Sequence, residues 1–250
     1  MIIDLLKEEG NFKEILSFIE NNEKFNIVGG VFSFYSYLIS SIFKQSEKNI
    51  VIILPDEKKS EVFYFDILNF IDKKFVKFLP SPDYTKDEVS ETSFERVKVL
   101  FDISSLNSNF ILITYPSSII KKIPKFYEIK NRVCEIKEGK DLRRDNFINF
   151  LFSSGYEEKE IVELPGEFAR RGGIVDVFPL NSSFPLRINF SGNRIESIRL
   201  FEVSSQKSFD KIYDFLIYPL SEIFLGDEKS DLLSEIDNKL TFLVKPDEIK

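Results

Sequence analysis

Pro165-Gly166-Glu167-Phe168-Ala169-Arg170-Arg171-Gly172-Gly173-Ile174-Val175-Asp176-Val177-Phe178-Pro179 is the stretch that decides the fold, together with Leu186-Arg187-Ile188-Asn189-Phe190-Ser191-Gly192-Asn193-Arg194-Ile195-Glu196-Ser197-Ile198-Arg199. Glycines stand where the chain must turn, and short β-prone runs lie between them. The pattern predicts an antiparallel meander. Within it Leu186, Ile188 and Phe190 alternate with Arg187 and Asn189, so one face is apolar and the other polar. Ser191-Gly192-Asn193 reads as a hairpin connection into a strand over 194–201. Gly166, Gly172, Gly173 and Gly192 read as backbone necessities of the turns.

Composition bounds what can surround this meander. The chain has 250 residues, 43% hydrophobic and 30% charged, which fits one large or two small packed domains. With 27 Phe the core is expected to be rich in aromatics. The net charge of −7 argues against a general nucleic-acid footprint. There is one Cys and no His. An internal disulfide and a Ser-His-Asp or Cys-His catalytic site are therefore excluded, and a usual Zn or Fe–S site lacks ligands. Neither a signal peptide nor a membrane span is visible, and the expected location is cytoplasmic. No metal and no cofactor is expected. Arginine is placed selectively: eight of nine fall between Arg132 and Arg199, in a chain with 34 basic residues. Arg suits partly dry interfaces and planar carboxylate pairing. The segment is either an interaction surface or a set of ion pairs internal to a small β-rich domain.

Before the meander, strands and helices alternate. Residues 1–24 read as a helix or two, and Phe25-Asn26-Ile27-Val28 as a short strand followed by Gly29-Gly30 and a helix from Val31 to Phe43. Strand, glycine turn and helix is the layout of a phosphate loop. Its chemistry is missing, because Val31-Phe32-Ser33-Phe34-Tyr35-Ser36 offers no Lys after the glycines, and Gly29-Gly30 reads as a degenerate loop. Strands are expected over 49–54, 75–79 and 110–115, with one helix bearing Val62, Phe63, Phe65, Ile67 and Leu68 (capped by Asp56 or Ser60) and another over about 91–105. This order implies a mostly parallel sheet with helices outside.

Around Lys125 the rhythm changes. Tyr127 to Ile136 reads as a half-exposed strand, with Cys134 a small core residue. Asp141 is expected to cap a helix bearing Phe147, Ile148, Leu151 and Phe152, ended by Gly155. After Gln206 the chain is read as returning to the first domain, through a strand near Phe215 to Ile217, a short helix over 230–236 and a last buried strand over Leu240 to Val244. The resulting scheme is α/β. It places a motor-lobe-like domain in residues 1–125 and 206–250, and an inserted α+β domain in residues 126–205.

The signature over about residues 155–207 resembles the module shared by the excinuclease component UvrB and the N-terminal region of bacterial transcription-repair coupling factors (Mfd). Pro-Gly-Glu-Phe before Arg-Gly-Gly is closer to the coupling-factor form. The resemblance implies a first domain that is a degenerate remnant of a helicase lobe. It also implies an inserted domain that binds the excinuclease component UvrA. Arg171 and Arg187 match position for position the family arginines of that binding surface. The family has two aromatics at the end of the Arg-Ile-x-Phe strand, where this chain has Phe190-Ser191. Phe190 alternates with core residues, and Ser191 replaces the second aromatic. Arg170 stands where many relatives have a small residue, and it extends the basic patch or is merely exposed. Arg194 and Arg199 belong either to the patch or to a solvated strand face. Arg171 and Arg187 could alternatively pair with Glu167, Asp176 or Glu196 inside the domain.

Three functions compete. The first, which the resemblance favours, is a non-enzymatic recruitment module that binds UvrA. RNA polymerase and DNA would then be engaged only by other regions of the full-length translocase, and this surface would be masked by its other domains. The second is an ATP-binding helicase lobe of the UvrB type, which the missing Lys and Ser/Thr oppose. The third is direct DNA binding by the arginines, which the acidic charge opposes.

Overall fold

The computed structural model describes residues 10–21, 23–24, 27, 31–82 and 90–249. Apart from Ile27, the expected strand over 25–28 and the Gly29-Gly30 turn lie outside the described residues. Two compact units emerge. One comprises residues 1–81, 106–121 and 231–250, the other residues 82–105 and 122–230.

The first unit is built on a four-stranded parallel sheet. Its strands are β1 (Asn49–Ile53), β2 (Val76–Phe78), β3 (Ile111–Thr114) and β14 (Lys239–Leu243), in the order β14-β1-β3-β2. β1 and β3 are central and nearly continuous apolar runs, as parallel strands covered on both faces must be. The last strand is not fully buried as expected: β14 is an edge strand, and Leu243 is 55% exposed. Helices α1 (Gly10–Glu20), α2 (Phe32–Gln45) and α3 (Glu57–Leu68) supply Phe12, Leu38, Ile42, Phe63 and Ile67 to a core with Ile50, Ile52, Ile111 and Ile113. Asp56 is the N-cap of α3 and its carboxylate accepts from the Lys59 amide at 2.9 Å.

The second unit carries the meander in a six-stranded sheet. The strands are β6 (Glu157–Glu158), β7 (Glu167–Arg171), β8 (Ile174–Val177), β9 (Leu186–Ser191), β10 (Arg194–Phe201) and β11 (Ser208–Ile212). Their order is β11-β10-β9-β8-β7-β6. All pairs are antiparallel except β6 with β7. A helix over Arg144–Ser153 covers one face with Phe147, Ile148 and Leu151, against Phe168, Val175, Val177, Ile188, Phe190, Ile195 and Ile198. The remaining helices of this unit are α4 (Glu91–Ser105) and α5 (Phe126–Asn131), which makes the covering helix α6. Two small ribbons complete the unit. β4 (Ile123–Pro124) pairs with β13 (Lys229–Ser230), and β5 (Cys134–Lys137) pairs with β12 (Asp214–Ile217).

Two local expectations are corrected. The alternation over 127–136 is not one strand, because residues 126–131 wind into α5 around the single buried Ile129, and only Cys134–Lys137 is extended. Cys134 is half-buried rather than a core residue. Asp141 is not the helix cap either. It bridges to Arg194, and α6 begins after Arg143 without a side-chain cap.

Candidate functional site

The meander's register sorts its side chains. Ala169 faces Asp176, Asp176 faces Arg187, Arg187 faces Arg199 and Arg199 faces Lys211 across successive strands. One row further on, Arg171, Ile174, Asn189 and Ser197 are aligned. Directly opposed residues share a face. The face turned away from α6 therefore holds Arg171, Arg187, Arg199 and Lys211, with Asn189 and Ser191. β7 and β9 are two ladder steps apart, which sets the Arg171 and Arg187 backbones about 10 Å apart across the sheet.

The glycines make this register possible. Gly172 has φ +58, a conformation L side chains rarely adopt. A Cβ on Gly173 would lie 3.0 Å from the Phe190 carbonyl, while the Gly173 carbonyl itself accepts from the Phe190 amide at 2.8 Å. The tight Arg171-Gly172-Gly173-Ile174 turn thus lies against β9. Glu167 explains the Pro-Gly-Glu-Phe run: one of its carboxylate oxygens accepts from the Glu163 and Leu164 amides, both at 2.8 Å.

Arg187 is enclosed. Its Nε and Nη2 donate to the two carboxylate oxygens of Asp176 at 2.8 and 2.7 Å. Nη1 donates to the Gln206 carbonyl at 3.0 Å, and the guanidinium carbon lies 4.6 Å from the centre of the Phe201 ring. Side-chain exposure is 20% for Arg187 and 4% for Asp176. The hydrogen bond to Asp176 raises the Arg187 pKa above its ordinary value, with burial opposing. Gln206 adopts φ 56, unusual for a residue with a side chain, and its amide donates to the Val203 carbonyl at 2.8 Å.

The other arginines differ. Arg171 is exposed and donates to the Glu160 carbonyl at 2.9 Å. Arg199 is exposed and has neither hydrogen bond nor ion pair among the described residues. Lys211 pairs with Glu138 at 2.9 Å. Arg170 stands opposite Val175, so it projects from the other side of the sheet, and it pairs with Glu158 at 2.5 Å. Phe190 is a core residue whose ring centre lies 5.9 Å from that of Phe147. Of the five residues singled out from sequence, Arg171, Arg187 and Ser191 thus share a face, while Arg170 and Phe190 do not. Sequence reasoning missed Lys211, Phe201 and Gln206 altogether. Ser208–Ile212 shows no strict alternation that would have flagged Lys211, and nothing local marks Gln206.

Among the described residues there is no group of three or more His, Cys, Asp or Glu able to hold a metal ion. No helix among them is long and apolar enough to cross a membrane.

The sheet thus carries a helix-covered apolar core on one face and basic side chains on the other. Residues 134–223 match the family described as the UvrB interaction domain. Over nearly all its length the chain is also similar to transcription-repair-coupling factors. It is 27% identical over 245 residues to that of Bacillus subtilis, covering 96% of this chain and 21% of the relative. It is 29% identical over 233 residues to that of Borreliella burgdorferi, covering 92% and 21%. For Staphylococcus aureus the identity is 28% over 240 residues, covering 94% and 20%. The chain spans about a fifth of the length of these relatives.

Proposed function

We propose that this chain is a non-enzymatic recruitment module that binds the excinuclease component UvrA through the open face of the meander. It would thereby bring nucleotide excision repair to a stalled RNA polymerase in the bacterial cytoplasm. The observation that carries this reading is the register that gathers Arg171, Arg187, Arg199 and Lys211 on one face of the matched domain. Such a face suits an acidic partner surface, through steering and charge-assisted hydrogen bonds. Ser191 lies on this face without the ring that the family places there, so the contact relies on its polar groups. Polymerase and DNA would be engaged by other regions of a longer protein. The missing Lys-Ser/Thr pair directly after Gly29-Gly30, where Val31-Phe32 stands, disfavours an ATP-binding lobe.

The test is a titration of this chain against purified UvrA, beside an Arg171→Ala/Arg199→Ala variant whose melting curve is unchanged. Saturable binding is expected, weakened at least tenfold in the variant. A wild-type chain that does not bind overturns the proposal. Equal binding by the variant would move the site off this face, and tight Mg²⁺-ATP binding would restore the helicase reading.

A further inference from the structure

We propose that Arg187 acts in docking as a fixed, charge-neutralised hydrogen-bond fork, with Asp176 and Gln206 as its positioning residues, and that it takes an uncharged acceptor of the partner, a main-chain carbonyl or a side-chain amide oxygen. This rests on the reading of the meander face as the partner surface.

A guanidinium has five N–H donors. Three are used within the domain: Nε and Nη2 on Asp176, and Nη1 on the Gln206 carbonyl. One donor on each terminal nitrogen remains. The Phe201 ring covers one face of the guanidinium plane, so approach is restricted to the outer edge. The bracket is built rather than incidental. Asp176 is nearly inaccessible, so its negative charge is spent on Arg187 and not on solvent. Gln206 holds a left-handed backbone conformation that a side chain disfavours, and its carbonyl lands on Nη1.

The electrostatic consequence separates Arg187 from its neighbours. Arg187 and Asp176 together carry no net charge, whereas Arg171 and Arg199 are exposed on the same face without a carboxylate partner among the described residues. A partner carboxylate docking on Arg187 would leave one uncompensated negative charge beside buried Asp176, which a dry interface penalises. A neutral acceptor satisfies the remaining donors without that excess. Steering therefore belongs to Arg171 and Arg199, and placement to Arg187.

Asp176→Asn makes the two views predict opposite signs. It adds one unit of positive charge to the face while loosening the fork. If Arg187 acted as a steering cation, binding of UvrA would tighten and its salt dependence would steepen. The fork predicts the reverse: about tenfold weaker binding, with an unchanged slope of log Kd against log salt. Asp176→Asn should add less than about twofold when Arg187 is already Met. Arg187→Lys keeps the charge and loses the fork, so it should bind as weakly as Arg187→Met. Arg199→Ala should instead slow association and flatten the salt slope. Tighter binding by Asp176→Asn, or near wild-type binding by Arg187→Lys, overturns the inference. If Asp176→Asn unfolds at the assay temperature, Arg187→Lys carries the decision alone, since both charges of the pair are kept. Failure of the wild-type chain to bind removes the reading of the face and this inference with it. Wild-type binding with an indifferent Asp176→Asn removes only the inference.

Discussion

Cys134 is half-buried on β5, and burial pushes its thiol pKa from an ordinary 9.0 to about 11, with Lys140 partly offsetting this. Tyr218 is raised from 10.0 to about 12, again mainly by burial and secondarily by Asp102. Tyr156, buried and donating to the Tyr218 carbonyl at 3.0 Å, is also shifted upward by burial. The sign is the same for all three. Below pH 9 both folded and unfolded chains keep these protons, so the stability is complete. Between 9 and about 11 the unfolded chain releases the Cys134 proton first, binds fewer protons than the folded chain, and stability falls as pH rises. Tyr218 extends the loss from 10 to about 12. Melting temperatures are therefore expected to be level from pH 7 and to decline from about pH 9, with Cys134→Ala delaying the onset by about one pH unit. A Cys134→Ala curve parallel to wild type between pH 9 and 10 would rule this assignment out.

In β10 a single extra residue decides which side chains reach the basic face of the sheet. Counting back from the Ser191–Arg194 hairpin pair would set Arg187 opposite Ile198. The observed register shifts between Ile195 and Ser197, leaving Glu196 as a bulge and bringing Arg199 opposite Arg187. This is why Arg199 stayed undecided from sequence: alternation was legible, but a bulge leaves no local mark. The apolar run of β3 and the glycine-bounded hairpins were legible, because each rests on a few neighbouring residues. The six residues of α5 were not, since one buried Ile129 shows no helical period. The Arg187–Asp176 bracket was legible only as one of three alternatives, because choosing among them needs the strand register. Deleting Glu196 should remove the bulge and leave a regular ladder, with Ile198 still opposite Ile188 and Arg199 still opposite Arg187. Urea unfolding of the deletion variant should change by no more than about 1 kcal/mol. A loss on the order of 3 kcal/mol or more would show that β10 had slipped by one residue, turning Ile198 outward and burying the Arg199 cation.

For the molecule as a whole, the chain passes between its two units four times, after residues 81, 105, 121 and 230. The second unit is therefore larger than the matched segment 134–223, and α4 is the part most distant in sequence. Arg96 on α4 is the one arginine outside the 132–199 segment, and its side chain is 0% exposed, paired with Glu222, itself 14% exposed. Phe94 and Phe101 of the same helix meet the Tyr218 ring edge-on, at centroid distances of 6.1 and 5.4 Å. Nothing local marks Arg96 in the run Glu95-Arg96-Val97-Lys98, because its partner Glu222 lies far along the chain. Breaking a buried pair leaves the survivor uncompensated, which costs about 3–5 kcal/mol, whereas replacing both charges by apolar groups of similar size is often nearly neutral. Arg96→Ala should thus destabilise the second unit by about 3–5 kcal/mol. Hydrogen exchange should quicken in α4 and residues 214–225 before it changes in β1 and β3. Arg96→Met/Glu222→Leu should recover most of the loss. If the double variant is no better than Arg96→Ala, then packing of the arginine stem, not charge compensation, is what ties α4 into the second unit.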